Sequence, residues 1–148
     1  MDATDSTVLE RQIHIEAKPE TVFQFFTDPS KLVRWMGITA QINPQQGGIY
    51  RVEVTKTDIV RGEYLEVKPP KRVVFSWGWE GENSPLPPGA STVEVILAAD
   101  GEGTLLTLRH LGLPVPLQKT HAEGWDHYLP RLAQVSEGKE PGVDAWTM

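Results

Sequence analysis

The chain contains no cysteine. That removes disulfides, thiolate nucleophiles and sulfur-bound metals at once, and it suits a reducing compartment. Nor does any stretch approach the ~18 consecutive apolar residues of a membrane-spanning helix, so no membrane insertion is expected. The opening MDATDSTVLERQIHIEA lacks both the basic and the apolar segment of a secretory signal, which leaves the cytoplasm as the default location. Positive charge is scarce: 14 Lys and Arg against 20 Asp and Glu leave a net charge of −6, with no basic run. Nucleic acid and anionic membranes both demand a positive surface, so neither is expected as a partner. No serine stands in a Gly-x-Ser-x-Gly elbow. Internal repeats and domain linkers are also missing, and 148 residues, 39% hydrophobic and 23% charged, suit one globular domain. Its core is expected over about residues 8–135, with loosely ordered termini.

What is present is alternation. Ile13, Ile15 and Ala17 share a face opposite Gln12, His14 and Glu16, which predicts a half-buried strand. KPETVFQFFTD then predicts a helix, with Pro19 and Glu20 in its first turn, and DPSKLVRWM a second, capped by Asp28 with Pro29 at its first position. Strand patterns return in ITAQIN, GGIYRVEVT, DIVRGEYLEVKP and KRVVFSWGWE, then in a hairpin turning at Asp100-Gly101. The longest loop is read from Gly81 to Ser91, rich in proline and glycine. A final long helix carries Leu117, His121, Gly124, Trp125, Tyr128 and Leu132 on one stripe. An antiparallel sheet of about seven strands has an apolar face to cover, and the last helix is the one long element able to cover it. The expected class is α+β: a curved sheet wrapped around a C-terminal helix, the helix-grip arrangement, with two short helices after strand one.

That order, with AKPETVFQFFTDPSKLVRWM, GGIYRVE, GEYLEVKPPKRVVFSW, LTLRHLGL and HAEGWDHYLPRL, resembles the START-like superfamily, also called SRPBCC or Bet v-like. Within it the chain is most similar to the branch named for homologues of the activator of the heat-shock protein ninety ATPase. The resemblance spans about Val8 to Val135 and implies a deep cavity between sheet and helix, used across the superfamily for apolar molecules. It matches Gly47, Gly48, Tyr50 and Arg51 to a paired-glycine strand opening, His110 to a strand end, and His121, Gly124 and Trp125 to a His-x-x-Gly-Trp motif. Pro130 departs from the pattern.

His110, His121 and His127 raise a metal reading, but His121 and His127 lie six apart, about 240° around a helix, and cannot readily share an ion. No metal and no cofactor is expected, with His121 buried and His127 solvated. An acid–base pair drawn from His110, His121, Glu53, Glu94, Tyr50 and Tyr64 would make the protein an enzyme of cyclase or hydrolase type. The alternative is that these are cross-strand polar pairs and buried hydrogen-bonded side chains. Trp35, Phe75, Trp77, Trp79, Trp125 and Tyr128 fall on faces read as inward or at the entrance, as in an apolar pocket. With Tyr50, Leu108, His110 and His121 they make the expected binding set for a small apolar molecule. A homodimer is compatible with the sequence, and stimulation of a chaperone ATPase is the third functional class, which the family name implies.

Overall fold

A computed structural model describes residues 8–148. β1 (Val8–Ile15) leads into α1 (Pro19–Thr27) and α2 (Pro29–Leu32), followed by β2 (Thr39–Ile42), β3 (Ile49–Glu53), β4 (Ile59–Lys68), β5 (Arg72–Trp77), β6 (Ser91–Asp100) and β7 (Gly103–Leu111). The long helix α3 (Val115–Ser136) and a short 3₁₀ turn at Ala145–Thr147 complete the chain. All pairings are antiparallel in a seven-stranded sheet ordered β1-β7-β6-β5-β4-β3-β2. The helix-grip arrangement expected from the pattern is the one observed.

The local rules act where the sequence placed them. Pro19 occupies the first turn of α1, where a missing N–H costs nothing. Asp28 caps α2, its carboxylate accepting from the N–H groups of Ser30 and Lys31. Val22, Phe23, Phe25 and Phe26 anchor α1 in the same core that takes Val93, Val95, Leu106 and Leu108 from the sheet. Burial of such side chains contributes roughly 1.5–3 kcal/mol each. The opposite face of the sheet carries a charge ladder: Arg109 reaches Glu10 and Glu94, and Arg72 reaches Glu94 and Glu66. Those carboxylates are structural, which answers for Glu94.

α3 is divided in its grip. Every buried residue it has, Trp125, Tyr128, Leu129, Leu132, Ala133, Val135 and Ser136, lies in its second half. The first half, VPLQKTHAEG, has only Val115 and Leu117 as large apolar side chains, and Val115 stays in solvent. Pro130, expected to kink the helix or distort its preceding turn, does not interrupt it. It sits on the exposed side, where the ring faces away from the sheet, and α3 runs through to Ser136.

The C-terminal tail, expected to be loosely held, folds back onto α3. Asp144 accepts from His127 Nε2 at 2.8 Å and from the backbone N–H of Trp146, and the Trp146 ring stacks on the His127 ring at 3.7 Å. Arg131 donates to the carbonyl of Gly142. His127 is therefore not the solvated side chain expected of it, because the tail supplies both its carboxylate and its stacking partner. The corresponding expectation for the N-terminus lies outside the described residues. No helix among the described residues is long and apolar enough to cross a membrane.

Candidate functional site

The loop after β5 turns back on itself because residue 78 is glycine: a Cβ there would lie 1.8 Å from the carbonyl oxygen of Pro87. Trp79 N–H then donates to the carbonyl of Leu86 at 2.7 Å, and Leu86 is buried with 2% exposure. The proline-rich segment is thereby pinned as a wall. Across from it stands the loosely gripped first half of α3, and the β3–β4 turn closes one side. Between them lies a cavity of about 550 Å³, partly open to solvent.

Trp77, Trp79, Trp125 and Tyr128 form its aromatic lining, with Leu86, Leu117 and Val54 as aliphatic patches, and Trp146 from the tail completes the rim. Four of the five tryptophans of the chain therefore face one space. Trp77 packs against Trp79, Trp125 and His110 at ring separations of 5.5, 5.2 and 5.6 Å. His121, Thr120 and Gly124 bring the helix to the cavity, and Asp58, Glu80 and Glu82 lie on the lining from the loops.

Buried His110 and half-buried His121 are both fully used. His110 bonds Ser91 Oγ through Nε2 at 2.8 Å, while Ser91 donates to the carbonyl of Trp77, so His110 must be the donor to Ser91. Its Nδ1 accepts from Trp125 Nε1 at 3.1 Å. The network thus assigns one neutral tautomer. Burial, with His121 as a neighbouring charge, pushes the His110 pKa down to about 3. His121 accepts from Trp79 Nε1 at 3.1 Å and gives its other N–H to the carbonyl of Leu117 at 2.9 Å. Burial lowers its pKa too, opposed by that carbonyl. Neither ring has a free nitrogen for proton transfer.

Two polar atoms of lining residues are not used: Trp77 Nε1 and Tyr128 Oη are buried and have no partner among the described residues. An unmet buried hydrogen-bonding group costs about 1–3 kcal/mol.

Of the expected binding residues, Trp77, Trp79, His121, Trp125 and Tyr128 come together on the cavity. Trp35, Tyr50, Phe75, Leu108 and His110 do not line it, for they are packed in the core with at most 1% exposure. Trp35 sits beyond α2, its indole N–H bonded to the carbonyl of Phe25. Tyr50 stacks on Phe75 at 4.1 Å, and Leu108 belongs to the same core cluster. The acid–base set also disperses: Tyr64 donates to the carbonyl of Phe26 and Glu53 accepts from Thr39. No group of three or more His, Cys, Asp or Glu among the described residues could hold a metal ion. The sequence reading missed Val54, Asp58, Thr120, Leu86 and Trp146. Leu86 lies in the proline-rich loop that the sequence marked, whereas nothing pointed to Val54 and Asp58 in the β3–β4 turn, to Thr120 off the helix stripe, or to Trp146 in the tail.

A protein-family model described as Activator of Hsp90 ATPase homolog 1-like protein matches residues 16–137. Among solved structures, an AHSA1-like protein from Rhizobium etli is 46% identical, with 95% of this chain and 88% of that one covered and a TM-score of 0.74. CalU16 from Micromonospora echinospora is 27% identical over 91% of this chain and 76% of its own, TM-score 0.74. An Hsp90 activator from Plasmodium falciparum shares the fold at 22% identity, covering 87% of this chain and 95% of its own, TM-score 0.73. No curated protein matches the sequence.

Proposed function

The chain belongs to the AHSA1-like family, and we propose that it acts by holding a small, largely apolar molecule in the cavity beneath the first half of α3. One observation carries the reading: four tryptophans and Tyr128 surround a partly open space of about 550 Å³, and Trp77 and Tyr128 each keep a buried polar atom without a partner among the described residues. That combination of large apolar walls and few orienting groups is what small-molecule sites require. The volume lies inside the range of roughly 300–1,000 Å³ that such sites occupy. The same reading places the protein in the cytoplasm, where a chain free of cysteine loses nothing to a reducing environment.

Native mass spectrometry of freshly purified protein should reveal a retained small molecule. A neutral solvatochromic dye such as Nile red should bind the stripped protein one to one. Gly124→Phe should abolish that binding, since a Cβ at Gly124 meets no atom within 4 Å and the ring would enter the cavity. Circular dichroism confirms that the variant is folded. Failure of the wild type to bind, or equal binding by the two proteins, would sink the proposal.

A further inference from the structure

The charged side chains on the cavity's lining are of one sign: Asp58, Glu80 and Glu82 lie on it, and among the described residues no lysine or arginine does. Glu80 is neutralised by Arg51 at 2.8 Å and Arg61 at 3.8 Å, but Asp58 and Glu82 are exposed and meet no cation within salt-bridge distance. Arg131 on α3 is engaged with the carbonyls of Trp35 and Gly142, and Lys56 and Lys119, next in sequence to the lining residues Thr55 and Thr120, are not themselves on the lining. Resting on the reading that this cavity holds a small molecule, we infer that it selects a protonated amine over an anion, seating the ammonium between the aromatic faces and the carboxylates of Asp58 and Glu82.

Three features converge on that ligand class. Indole and phenol faces attract cations through their ring quadrupoles, and Trp79, Trp146 and Tyr128 offer such faces on the lining. The hydroxyl of Tyr128, a side chain 4% exposed, has no partner among the described residues, and a phenol oxygen accepts from an ammonium N–H that reaches it. Burial first, then the carboxylate of Asp144, opposed by Arg131 and joined by Asp58, raise the pKa of that hydroxyl. A carboxylate or phosphate ligand would find no arginine and no lysine on the described lining, and an imidazole, His121, whose pKa burial lowers.

The test uses three probes with one apolar body: 1-naphthylmethylamine, 1-naphthylmethanol and 1-naphthoate, titrated calorimetrically into the full chain. At low ionic strength the amine should bind about tenfold more tightly than the carboxylate, a total of about 1.4 kcal/mol for two exposed carboxylates that attract one probe and repel the other. Raising salt to about 1 M should compress the ratio, because screening then acts within ~3 Å. Asp58→Asn with Glu82→Gln should bring the ratio below about threefold. Glu20→Gln with Glu102→Gln, which removes equal net charge from positions off the lining, should leave it near tenfold. Equal affinities for amine and carboxylate, with the alcohol binding normally, would overturn the charge selection and leave the cavity reading intact. If none of the three probes binds, both fall. A ratio that moves equally in the two double variants would assign the effect to net charge and overturn the site.

Discussion

His110 offers the sharpest test of the division between structural and chemical groups. Its ring is fully buried, donates to Ser91 and accepts from Trp125, an arrangement only the neutral form can make. With a folded pKa of about 3 against 6.5 in the unfolded chain, the unfolded state binds the extra proton first as pH falls. The contribution to stability is therefore complete above about pH 6.5 and lost progressively down to about pH 3. Between about pH 6 and pH 4 this single group removes roughly 2.5 kcal/mol, at a limiting slope near 1.4 kcal/mol per pH unit. His110→Gln retains an N–H for Ser91 and a carbonyl for Trp125 but has nothing to protonate. Urea unfolding of both proteins by tryptophan fluorescence should show the variant less stable at neutral pH, by about 1–2 kcal/mol for imperfect geometry. It should nonetheless lose less stability on acidification. Half-buried carboxylates with lowered pKa, such as Glu66 and Glu137, weaken both proteins alike on acidification and cancel in the comparison. Parallel pH profiles would refute the reasoning: His110 would then titrate near its ordinary value, and an acid–base role for it would reopen.

Gly124→Ala should stabilise the protein by up to about 1 kcal/mol, since alanine is the better helix former and its methyl meets nothing, and thermal unfolding reads the gain. Gly78→Ala should do the reverse, because its methyl would collide with the Pro87 carbonyl; the loop must shift, and faster proteolytic cleavage between residues 81 and 90 is the readout. Trp146→Ala removes a stacked ring from His127 and a cavity wall, which should weaken dye binding severalfold while lowering stability by only about 0.5–1.5 kcal/mol.

The architecture was legible because its signals are repetitive. Each strand announces itself several times through alternation, and the caps at Pro19 and Asp28 depend on neighbours in sequence. The site was half legible for the same reason inverted. Inward parity selects Tyr50, Phe75 and Trp77 equally, since all three belong to strand faces turned to the interior, yet only Trp77 reaches the end of its strand and the open space. Periodicity tells which face a residue occupies, and it cannot tell how far along the sheet the helix stays in contact. Gly124 illustrates the limit. A glycine in the stripe reads as a close approach of helix to sheet, whereas a Cβ there would project into vacant space. Trp146 was invisible because a tail contact depends on His127 and Asp144 meeting in three dimensions.

The two halves of α3 explain why a cavity exists at all. A helix of 22 residues that buried apolar side chains along its whole length would close the sheet completely. Here the bulky residues are confined to the second half, where Leu129, Leu132 and Val135 lock it to the core, and Arg11 ties its middle to β1 through Asp126 at 2.7 Å. Across the gap the first half is joined to Trp79 by His121. Composition alone thus separates a fixed segment from a spanning one. The spanning half has threonine, glycine and histidine where the fixed half has leucine and tyrosine, so the sheet's aromatic end is roofed without being filled. Substituting large apolar residues at Thr120 and Gly124 should therefore convert the cavity into core, raising stability and ending ligand binding in the same protein.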